Sequence, residues 1–491
     1  MQKNLWHGAL ALLVHLTMLA LAGCGGGSSS SPPPPPPPPA TSYTVGGNVS
    51  GLAANESVTL LNNGGDALIV RGNGGFTFST SQNAGSAYAV TVQSHTPGVA
   101  CSIGNRSGSV GSSNVTDVTV SCAPGTESVL YSFGSGTSDG TNPQAGLVMD
   151  SAGNLYGTTY AGGTNGVGTV FKISPTDTET ILHSFGSGTN DGINPQAGLI
   201  MDSAGNLYGT TAGGGGALGG GTVFKISADG TESILHSFVH GGTADGWNPQ
   251  AGLIMDSAGN LYGTTSGDAG TVFKISADGT ESVLYAFSGT NDGFQPLYAG
   301  VITDSAGNLY GTTVSGGLGG YTFGTVFKIS ADGTESILHS FTGVDGGEPE
   351  AGLIMDSAGN LYGTTTSGGN ASVVNSGEVF KISPAGTLSV LHYFTGGITN
   401  TITDGGYPRA DLILDSDGNL YGTTSFGGQN DEGTVFKISN AGAESVLHSF
   451  AGAATDGNEP LAGLIMDSAG NLYGTTAVGG ANDAGTVFKI N

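Results

Sequence analysis

Charged residues are scarce in this sequence: Asp, Glu, Lys and Arg make up 10% of its 491 residues, against about 25% in an ordinary soluble domain. This scarcity excludes a disordered chain of the highly charged kind. Basic residues are scarcer than acidic ones: the chain has 11 Lys and Arg and 37 Asp and Glu, which gives a formal net charge of −26. A chain this acidic repels phosphate backbones, so we expect no nucleic-acid partner.

Cysteine is nearly absent as well, with three in the chain. Cys24 ends the run Leu-Ala-Gly-Cys after an apolar stretch from Ala9 to Ala22. That stretch is too short to span a bilayer comfortably, but it is typical of a signal-peptide core. The run resembles the lipobox of bacterial lipoproteins. The resemblance implies that residues 1–23 are a lipoprotein signal peptide and that lipidated Cys24 tethers the chain to a membrane, at the outer membrane or cell surface.

Cys101 and Cys122 are the other two cysteines, and they belong to a segment that would be exported with the rest of the chain. Exported proteins meet an oxidising compartment, in which thiols form disulfides and keep them. We therefore predict a structural disulfide between Cys101 and Cys122.

Two short regions follow the signal peptide. Residues 24–40 are the lipidated Cys and a linker of Gly, Ser and a run of eight Pro, which predicts a stiff spacer in the polyproline II conformation. Residues 41–123 alternate apolar and polar residues between Gly and Asn clusters, a pattern that predicts a small antiparallel β-sandwich. This segment resembles the Ig-like or prealbumin-like modules of bacterial surface proteins.

From residue 124 onward the sequence is a repeat of about 50 residues. The string LYGTT begins at residues 155, 207, 261, 309, 361, 420 and 472. Each copy is followed by a VFKI string, and all but the last are then followed by a string of the ESILHSF type, whose first copy begins at residue 127. Turn signals divide each repeat into four short segments, and no segment has a helical period. In the second repeat, the first segment predicts a strand from Ala197 to Asp202. Four strands in each of seven repeats predict an all-β fold, a seven-bladed β-propeller over residues 124–491.

The phase of the repeats predicts how this ring closes. In NHL-type propellers, which these repeats resemble, the equivalent of GLIMD is the innermost strand and that of ESILHSF the outermost. Here an outermost strand, 127–133, comes first and a third strand, 485–490, comes last. Pairing 127–133 with 485–490 would complete the last blade and remove two exposed strand edges.

The LYGTT, GTVFKI and DGxxP strings over residues 126–491 resemble the GloVer tandem repeat of bacterial exported proteins. The resemblance implies an extracytoplasmic repeat domain. It implies no particular reaction or ligand.

Candidate ligand-binding residues are those that depart from the repeat. The DGxxP loops and the loops between strands two and three should share one face, and variable loops on a rigid scaffold often bind ligands. In the sixth repeat Arg409 is the one Arg of the propeller, and Asp411 replaces a Gly. Aromatic and acidic residues of the same loops complete the set of candidates: Tyr407, Asp431, Glu432, Trp247 and Tyr298.

No cofactor is expected, with calcium as the one alternative. Asp415, Asp417 and Asn419 faintly resemble a calcium loop, but the rest of that pattern is missing. The Asp that opens each D-S-x-G-N turn is better explained as an Asx-turn residue that accepts backbone N–H groups.

Three hypotheses for the function follow. The first is a surface-tethered, non-enzymatic binding or interaction module of the bacterial cell envelope, monomeric, with a glycan or protein ligand. The second is a propeller enzyme of the lactonase, lyase or carboxylate-glycosidase type, which would need catalytic groups converging at the channel mouth. The third is a structural component of the envelope.

Overall fold

The middle strands of each repeat are buried at nearly every position. In a computed structural model, the third strand of the first repeat buries Val170, Phe171 and Ile173, while Lys172 is only half-buried. The structure describes residues 41–241, 245–289, 291–320, 323–369, 376–396 and 404–491. The signal peptide (1–23), Cys24 and the linker (24–40) lie outside these residues.

Four antiparallel strands recur in every repeat, and the described residues form seven such sheets, which we call sheets I to VII. The first strands are Val148–Met149, Ile200–Met201, Ile254–Met255, Ile302–Thr303, Ile354–Met355, Ile413–Leu414 and Ile465–Met466. The second strands are Leu155–Thr159, Leu207–Thr211, Leu261–Thr265, Leu309–Thr313, Leu361–Thr365, Leu420–Thr424 and Leu472–Thr476. The third strands are Thr169–Ile173, Gly219–Ile226, Thr271–Ile275, Thr325–Ile329, Glu378–Ile382, Thr434–Ile438 and Thr486–Ile490. The fourth strands are Glu179–Ser184, Glu232–Val239, Glu281–Ala286, Glu335–Ser340, Leu388–Tyr393, Glu444–Ser449 and, completing sheet VII, Glu127–Ser132.

The predicted closure is confirmed. Glu127–Ser132 pairs antiparallel with Thr486–Ile490, in a register that sets Glu127 opposite Ile490 and Ser132 opposite Thr486. The all-β prediction is confirmed too, since the helical structure of the described residues is a single 3₁₀ turn, Leu318–Gly320.

The hydrophobic core lies between neighbouring sheets. Phe185, at the end of the fourth strand of sheet I, packs edge-on against Phe224 of sheet II with ring centroids 5.0 Å apart. Val170 of sheet I and Leu207 of sheet II belong to the same buried cluster. Because each cluster draws on two sheets, the sheets stabilise one another around the ring, as the blades of a propeller do.

One face of the ring carries the long loops, as predicted. In six of the seven sheets, short paired segments or single bridges join the DGxxP loop to the loop between strands two and three of the same sheet. Examples are Gly140–Thr141 with Ala161–Gly162, Gly192–Ile193 with Gly213–Gly214, and Gly457–Asn458 with Val478–Gly479. We call this side the loop face and the opposite side, with its short SAG and ADGT turns, the turn face.

The first strands are shorter than the sequence predicts. We expected a strand from Ala197 to Asp202, but only Ile200–Met201 pairs with the second strand. The carbonyl of Ala197 instead accepts a hydrogen bond from the Thr158 hydroxyl of sheet I at 3.1 Å. The same bond joins six of the seven neighbouring pairs of sheets, so the residues before these first strands bridge between sheets and border the centre of the ring.

Residues 42–124 form two further four-stranded sheets around a common apolar core. One contains Gly74–Thr77, Val45–Ser50, Val115–Pro124 and Val99–Gly104, and the other Ala67–Val70, Val58–Asn62, Ala87–His95 and Ser107–Ser109, with Ser42–Tyr43 and Gln82–Asn83 as a short extra pair. The purely antiparallel pairing we expected is wrong, because Val115–Pro124 runs parallel to Val45–Ser50. The long connection between these two strands crosses the whole sandwich, and parallel pairs require such a connection. Cys101 and Cys122 are direct cross-strand partners and form the predicted disulfide.

Candidate functional site

A central cavity of about 680 Å³ lies where the seven sheets meet. Each first strand is preceded by a Pro, one variable residue and then Ala-Gly-Leu, except that Leu297 is inserted before the variable Tyr298, Asp411 replaces a Gly and Val301 replaces a Leu. The residue before each Pro has a positive φ, for example 59° at Asn142 and 57° at Asn194. This turn brings the variable residue and the small residues after it to the cavity wall.

Seven variable residues therefore form a ring at the loop-face entrance, which we call the mouth ring. Its members are Gln144, Gln196, Gln250, Tyr298, Glu350, Arg409 and Leu461. Below it the wall is made largely of Gly, Leu and Ile. A polar entrance above an apolar wall is the usual composition of a small-molecule site.

Glu350 and Arg409 form an ion pair across neighbouring sheets of the mouth ring. Arg409 Nε lies 3.5 Å from Glu350 Oε2. The Arg409 side chain is 42% exposed and that of Glu350 is 14% exposed. Burial raises the pKa of Glu350, and the Arg409 charge offsets part of this rise. Arg409 lines the cavity and is partly exposed, so its guanidinium suits a ligand that accepts hydrogen bonds.

Glutamines form the opposite part of the mouth ring. Gln250 Nε2 donates to Gln196 Oε1 at 2.7 Å, and the Ser266 hydroxyl donates to Gln250 Oε1 at 3.1 Å. Gln144 Nε2 donates to Asn142 Oδ1 at 3.2 Å. These bonds orient the amides before any ligand arrives, which reduces the entropy lost on binding.

Asp411 lies one layer deeper, at a position where the other six repeats have Gly. Its Oδ1 accepts the backbone N–H of Gly352 at 2.6 Å. The side chain reaches the open space of the cavity, yet protein surrounds that space, and this desolvation raises the pKa of Asp411.

Two tyrosines add aromatic surface to the entrance. Tyr298, a member of the mouth ring, is 42% exposed. Burial and the Glu350 charge raise the pKa of its phenol. Tyr160, from the loop after the second strand of sheet I, also lines the cavity. Three predicted residues, Arg409, Asp411 and Tyr298, are thus brought together.

Trp247 and Tyr407 do not line the cavity. Trp247 is half-buried, its ring centroid 4.2 Å from that of His240, and it packs onto Gly267. Tyr407 is 38% exposed on the loop face, with its ring 5.7 Å from that of Phe426. Its backbone has a φ of 55°, which is unusual for a bulky residue.

Asp431 and Glu432 also lie outside the cavity, in the loop between strands two and three of sheet VI. Asp431 Oδ1 accepts the N–H of Gly427 at 3.0 Å, so it holds its own loop in shape. Burial raises the pKa of the half-buried Glu432, and the neighbouring Asp431 and Glu459 charges raise it further.

The three residues of the calcium alternative have protein partners. Asp415 Oδ1 accepts the N–H groups of Asp417 and Asn419, while its Oδ2 accepts the Asn419 amide and the Tyr421 hydroxyl. The same four bonds occur at Asp150 of sheet I, which makes this the expected Asx-turn. Asp417 pairs with Arg71, at 3.2 Å.

A second set of titratable groups lies in the seams between neighbouring sheets. Each seam holds the Asp of a DGxxP loop beside a His or Tyr of the fourth strand. In sheet IV, His339 Nε2 lies 3.0 Å from Asp345 Oδ2, and in sheet VII the Tyr131 hydroxyl donates to Asp139 at 3.1 Å. Since Tyr replaces His here without loss of the contact, we interpret these groups as structural.

Six seams also contain a Glu, which comes from the start of the fourth strand of the neighbouring sheet. Their Oε1 atoms are buried and have no hydrogen-bond partner within the described residues. Burial, reinforced in each seam by the DGxxP Asp, raises the pKa to about 7 at five of them: Glu127, Glu179, Glu232, Glu335 and Glu444. In two seams a His, an Asp and a Glu place ligand-type atoms within 4.8 Å of one another: His183, Asp191 and Glu232, and Glu127, His448 and Asp456.

Most of the mouth ring was not predicted from the sequence. Glu350, Leu461 and the three glutamines were not among the candidate residues, and neither was Tyr160 beside the ring. The signal was available, because six of the seven ring residues directly follow the Pro of a DGxxP motif and Tyr298 comes one residue later. Recognising it required the register of the first strand, which was predicted to be longer than it is.

Comparison with known proteins identifies the repeat. The family model described as the Gloeobacter/Verrucomicrobia repeat matches residues 65–317, 216–403 and 398–491. Among curated proteins, none matches this sequence.

Several solved structures resemble the chain at low identity. A gluconolactonase of Xanthomonas campestris is 15% identical over 62% of this chain and 88% of its own, with a TM-score of 0.37. A protein described as the extracellular domain of a hybrid two-component system of Bacteroides thetaiotaomicron is 13% identical over 79% of this chain and 45% of its own, with a TM-score of 0.47. A Bacteroides thetaiotaomicron protein of unknown function is 14% identical over 93% of this chain and 98% of its own, with a TM-score of 0.41. Such likeness concerns the fold and carries no activity or ligand over to this chain.

Within the part of the chain that the structure describes, no helix has the length and apolar character needed to cross a bilayer.

Proposed function

We propose that this chain, which belongs to the Gloeobacter/Verrucomicrobia repeat family, is a non-enzymatic binding module that takes a carbohydrate at the mouth ring and central cavity. We further propose that it works outside the cytoplasm, tethered through a lipid on Cys24. The lipobox-like run at Leu21–Cys24 and the Pro-rich linker support the tether.

One observation carries the proposal: four departures from the repeat converge on one cavity. Arg409, Asp411, Tyr298 and Glu350 occupy positions where other repeats have Gln or Gly, and all four line the same space. A repeat needs none of these replacements to fold, because its other copies do without them. Their meeting point is therefore the best candidate for a selected function.

The chemistry of the entrance suits a sugar. Sugar hydroxyls both donate and accept hydrogen bonds, and the ring supplies amides, carboxylates and a guanidinium that do the same. Tyr160 and Tyr298 offer aromatic faces for the apolar side of a pyranose. The volume of about 680 Å³ is that of an ordinary small-molecule pocket.

The loop face around the entrance adds further apolar surface. Within the described residues of sheets I to VII, every exposed large apolar side chain belongs to a loop-face segment. These side chains are Leu218, Tyr298, Leu318, Phe323, Val344, Tyr407 and Phe426. Exposed apolar side chains gathered on one face indicate an interaction surface, so a ligand longer than one sugar would extend over this face.

One observation favours a carboxylate glycosidase as the second candidate. Glu350 and Asp411 are two carboxyls with raised pKa values in one cavity, as acid catalysts often have. However, Glu350 is paired with Arg409 and Asp411 accepts a backbone N–H, so each already has a structural partner.

A glycan array with the full chain in detergent tests the proposal. Arg409→Gln and Asp411→Gly each restore a residue that other repeats use, so both variants should fold. We expect wild-type binding to at least one glycan class, weakened in both variants and retained in Asp278→Asn on the turn face. Release of reducing ends from the bound glycan would instead support the glycosidase, and absence of any hit would contradict a carbohydrate ligand.

A further inference from the structure

Asp411 belongs to a ring of seven equivalent residues, one from each sheet, at which the inner backbone segments lie close together. The six equivalent residues are Gly146, Gly198, Gly252, Gly300, Gly352 and Gly463. A Cβ added at Gly300 would lie 3.0 Å from the carbonyl oxygen of Gly252 in the neighbouring sheet, so the inner segments pack closely here. Asp411 is the one member of this ring with a side chain, and that side chain enters the cavity.

The Asp411 carboxylate has no cation beside it in the described residues. Its Oδ1 accepts the Gly352 N–H, while no hydrogen bond of the described residues reaches Oδ2. Arg409 lies two residues away in sequence, but its guanidinium pairs with Glu350. The cavity therefore contains one carboxylate whose charge the protein leaves unbalanced.

A carboxylate that lines a cavity with no cation beside it attracts a ligand cation, which can donate a charge-assisted hydrogen bond to it. The rest of the molecule favours such a ligand, because a formal charge of −26 attracts cations toward its surface. A metal ion fits poorly, since Ca²⁺ takes six to eight oxygen ligands and the wall around Asp411 consists mostly of Gly, Leu and Ile. An ammonium group needs only a few acceptors, and the mouth ring above Asp411 supplies amide and phenol oxygens.

We propose that the central cavity binds a cationic group through Asp411, and that the ligand class is an amino sugar with a free ammonium. This inference rests on the proposed carbohydrate-binding function and specifies its ligand. Asp411 accepts a charge-assisted hydrogen bond from the ammonium, and the mouth ring binds the neighbouring hydroxyls.

Calorimetry with two matched oligosaccharides tests the inference. The probes are glucosamine and N-acetylglucosamine oligomers of equal length, titrated into the full chain in detergent at about pH 6, where the amine is protonated. We expect the amine to bind about tenfold more tightly than the acetylated probe. Asp411→Gly and Asp411→Asn should each abolish this preference, and added salt should reduce it.

The possible outcomes separate the inference from the function on which it rests. Equal binding of both probes would overturn the ammonium site and leave the carbohydrate site in place. A preference for the amine that survives in both Asp411 variants would also overturn it, because general acidity would then be the cause. Binding of neither probe, with no other glycan bound, would overturn both. Asp411→Asn keeps the shape of the side chain, so it distinguishes loss of charge from loss of packing.

Discussion

Arg71 of the N-terminal sandwich and Asp417 of the sixth repeat form an ion pair, with Nη1 and Oδ2 3.2 Å apart. The other six repeats have Ala where Asp417 stands. Nearby, the His95 N–H donates to the Ala469 carbonyl at 3.0 Å, and Gly98 packs against Leu447. The sandwich thus contacts sheets VI and VII on the side of the turn face.

The Arg71–Asp417 pair should contribute modestly to stability, because both side chains are partly exposed at 61% and 37%. A double-mutant cycle with Arg71→Ala and Asp417→Ala is expected to give a coupling free energy of about 0.2–1 kcal/mol. Urea unfolding measures it, and the value should shrink at high salt. A coupling that does not depend on salt would show that the contact acts through packing.

The seam glutamates should make the protein most stable at mildly acidic pH. Their folded pKa of about 7 exceeds the usual value of 4.5, so the stability they contribute is complete below about pH 4.5 and is lost as the pH rises through 7. The Asp residues of the Asx-turns, such as Asp150 and Asp202, act in the opposite direction. Their pKa values are lowered from 3.8, so the stability they contribute is lost as the pH falls below 3.8. Urea midpoints measured against pH should peak between these two ranges.

The seam explanation can be tested at one residue. Glu335→Gln removes a titrating carboxyl, so it should flatten the fall in unfolding free energy between pH 4.5 and 7. Glu348→Gln, at an exposed site, is the matched control and should leave the slope unchanged. An unchanged slope in Glu335→Gln would mean that other groups cause the pH dependence.

Glu378 is a buried carboxyl that the fold does not need. It is 0% exposed, both oxygens lack a hydrogen-bond partner in the described residues, and burial raises its pKa to about 8. The other six third strands have Thr there, and in sheet IV Thr325 shares a 2.8 Å hydrogen bond with Thr313. Glu378→Thr should therefore raise the unfolding free energy by about 1–3 kcal/mol at neutral pH.

Thr325→Glu is the reverse variant and should destabilise by a similar amount. Both changes are measured by urea unfolding. If Glu378→Thr lowered stability instead, the carboxylate would have a stabilising role that its burial does not reveal.

Tyr407 occupies a left-handed backbone position that Asn tolerates better. Its φ is 55°, and Asn248 at the equivalent site of another repeat has a φ of 60°. Tyr407→Asn should stabilise the protein by about 1 kcal/mol, and Asn248→Tyr should destabilise it, as thermal melting would show. Loss of stability in Tyr407→Asn would mean that the Phe426 contact outweighs the backbone strain.

The strands and their pairing could be predicted from the repeated sequence patterns, but contacts between distant segments of the chain could not. LYGTT and VFKI gave the second and third strands, and the repeat phase gave the pairing of Glu127–Ser132 with Thr486–Ile490, because these features depend on local patterns. The partner of Asp417 was not predictable, since Arg71 is 346 residues away.

The candidate site was predicted in part, and the reason is geometric. Arg409 and Asp411 stood out because they break the repeat. Glu350 and the glutamines did not, because a polar residue after Pro is ordinary in a loop. Only the arrangement of the sheets shows that these positions face one cavity.

A crystal structure of the protein with a bound oligosaccharide tests the central claim most directly. Our account predicts a sugar in the central cavity, within hydrogen-bond distance of Arg409 or Asp411 and in contact with Tyr298. A sugar bound on the turn face, on the sandwich or at the outer strands, with the cavity left free of it, would contradict the account.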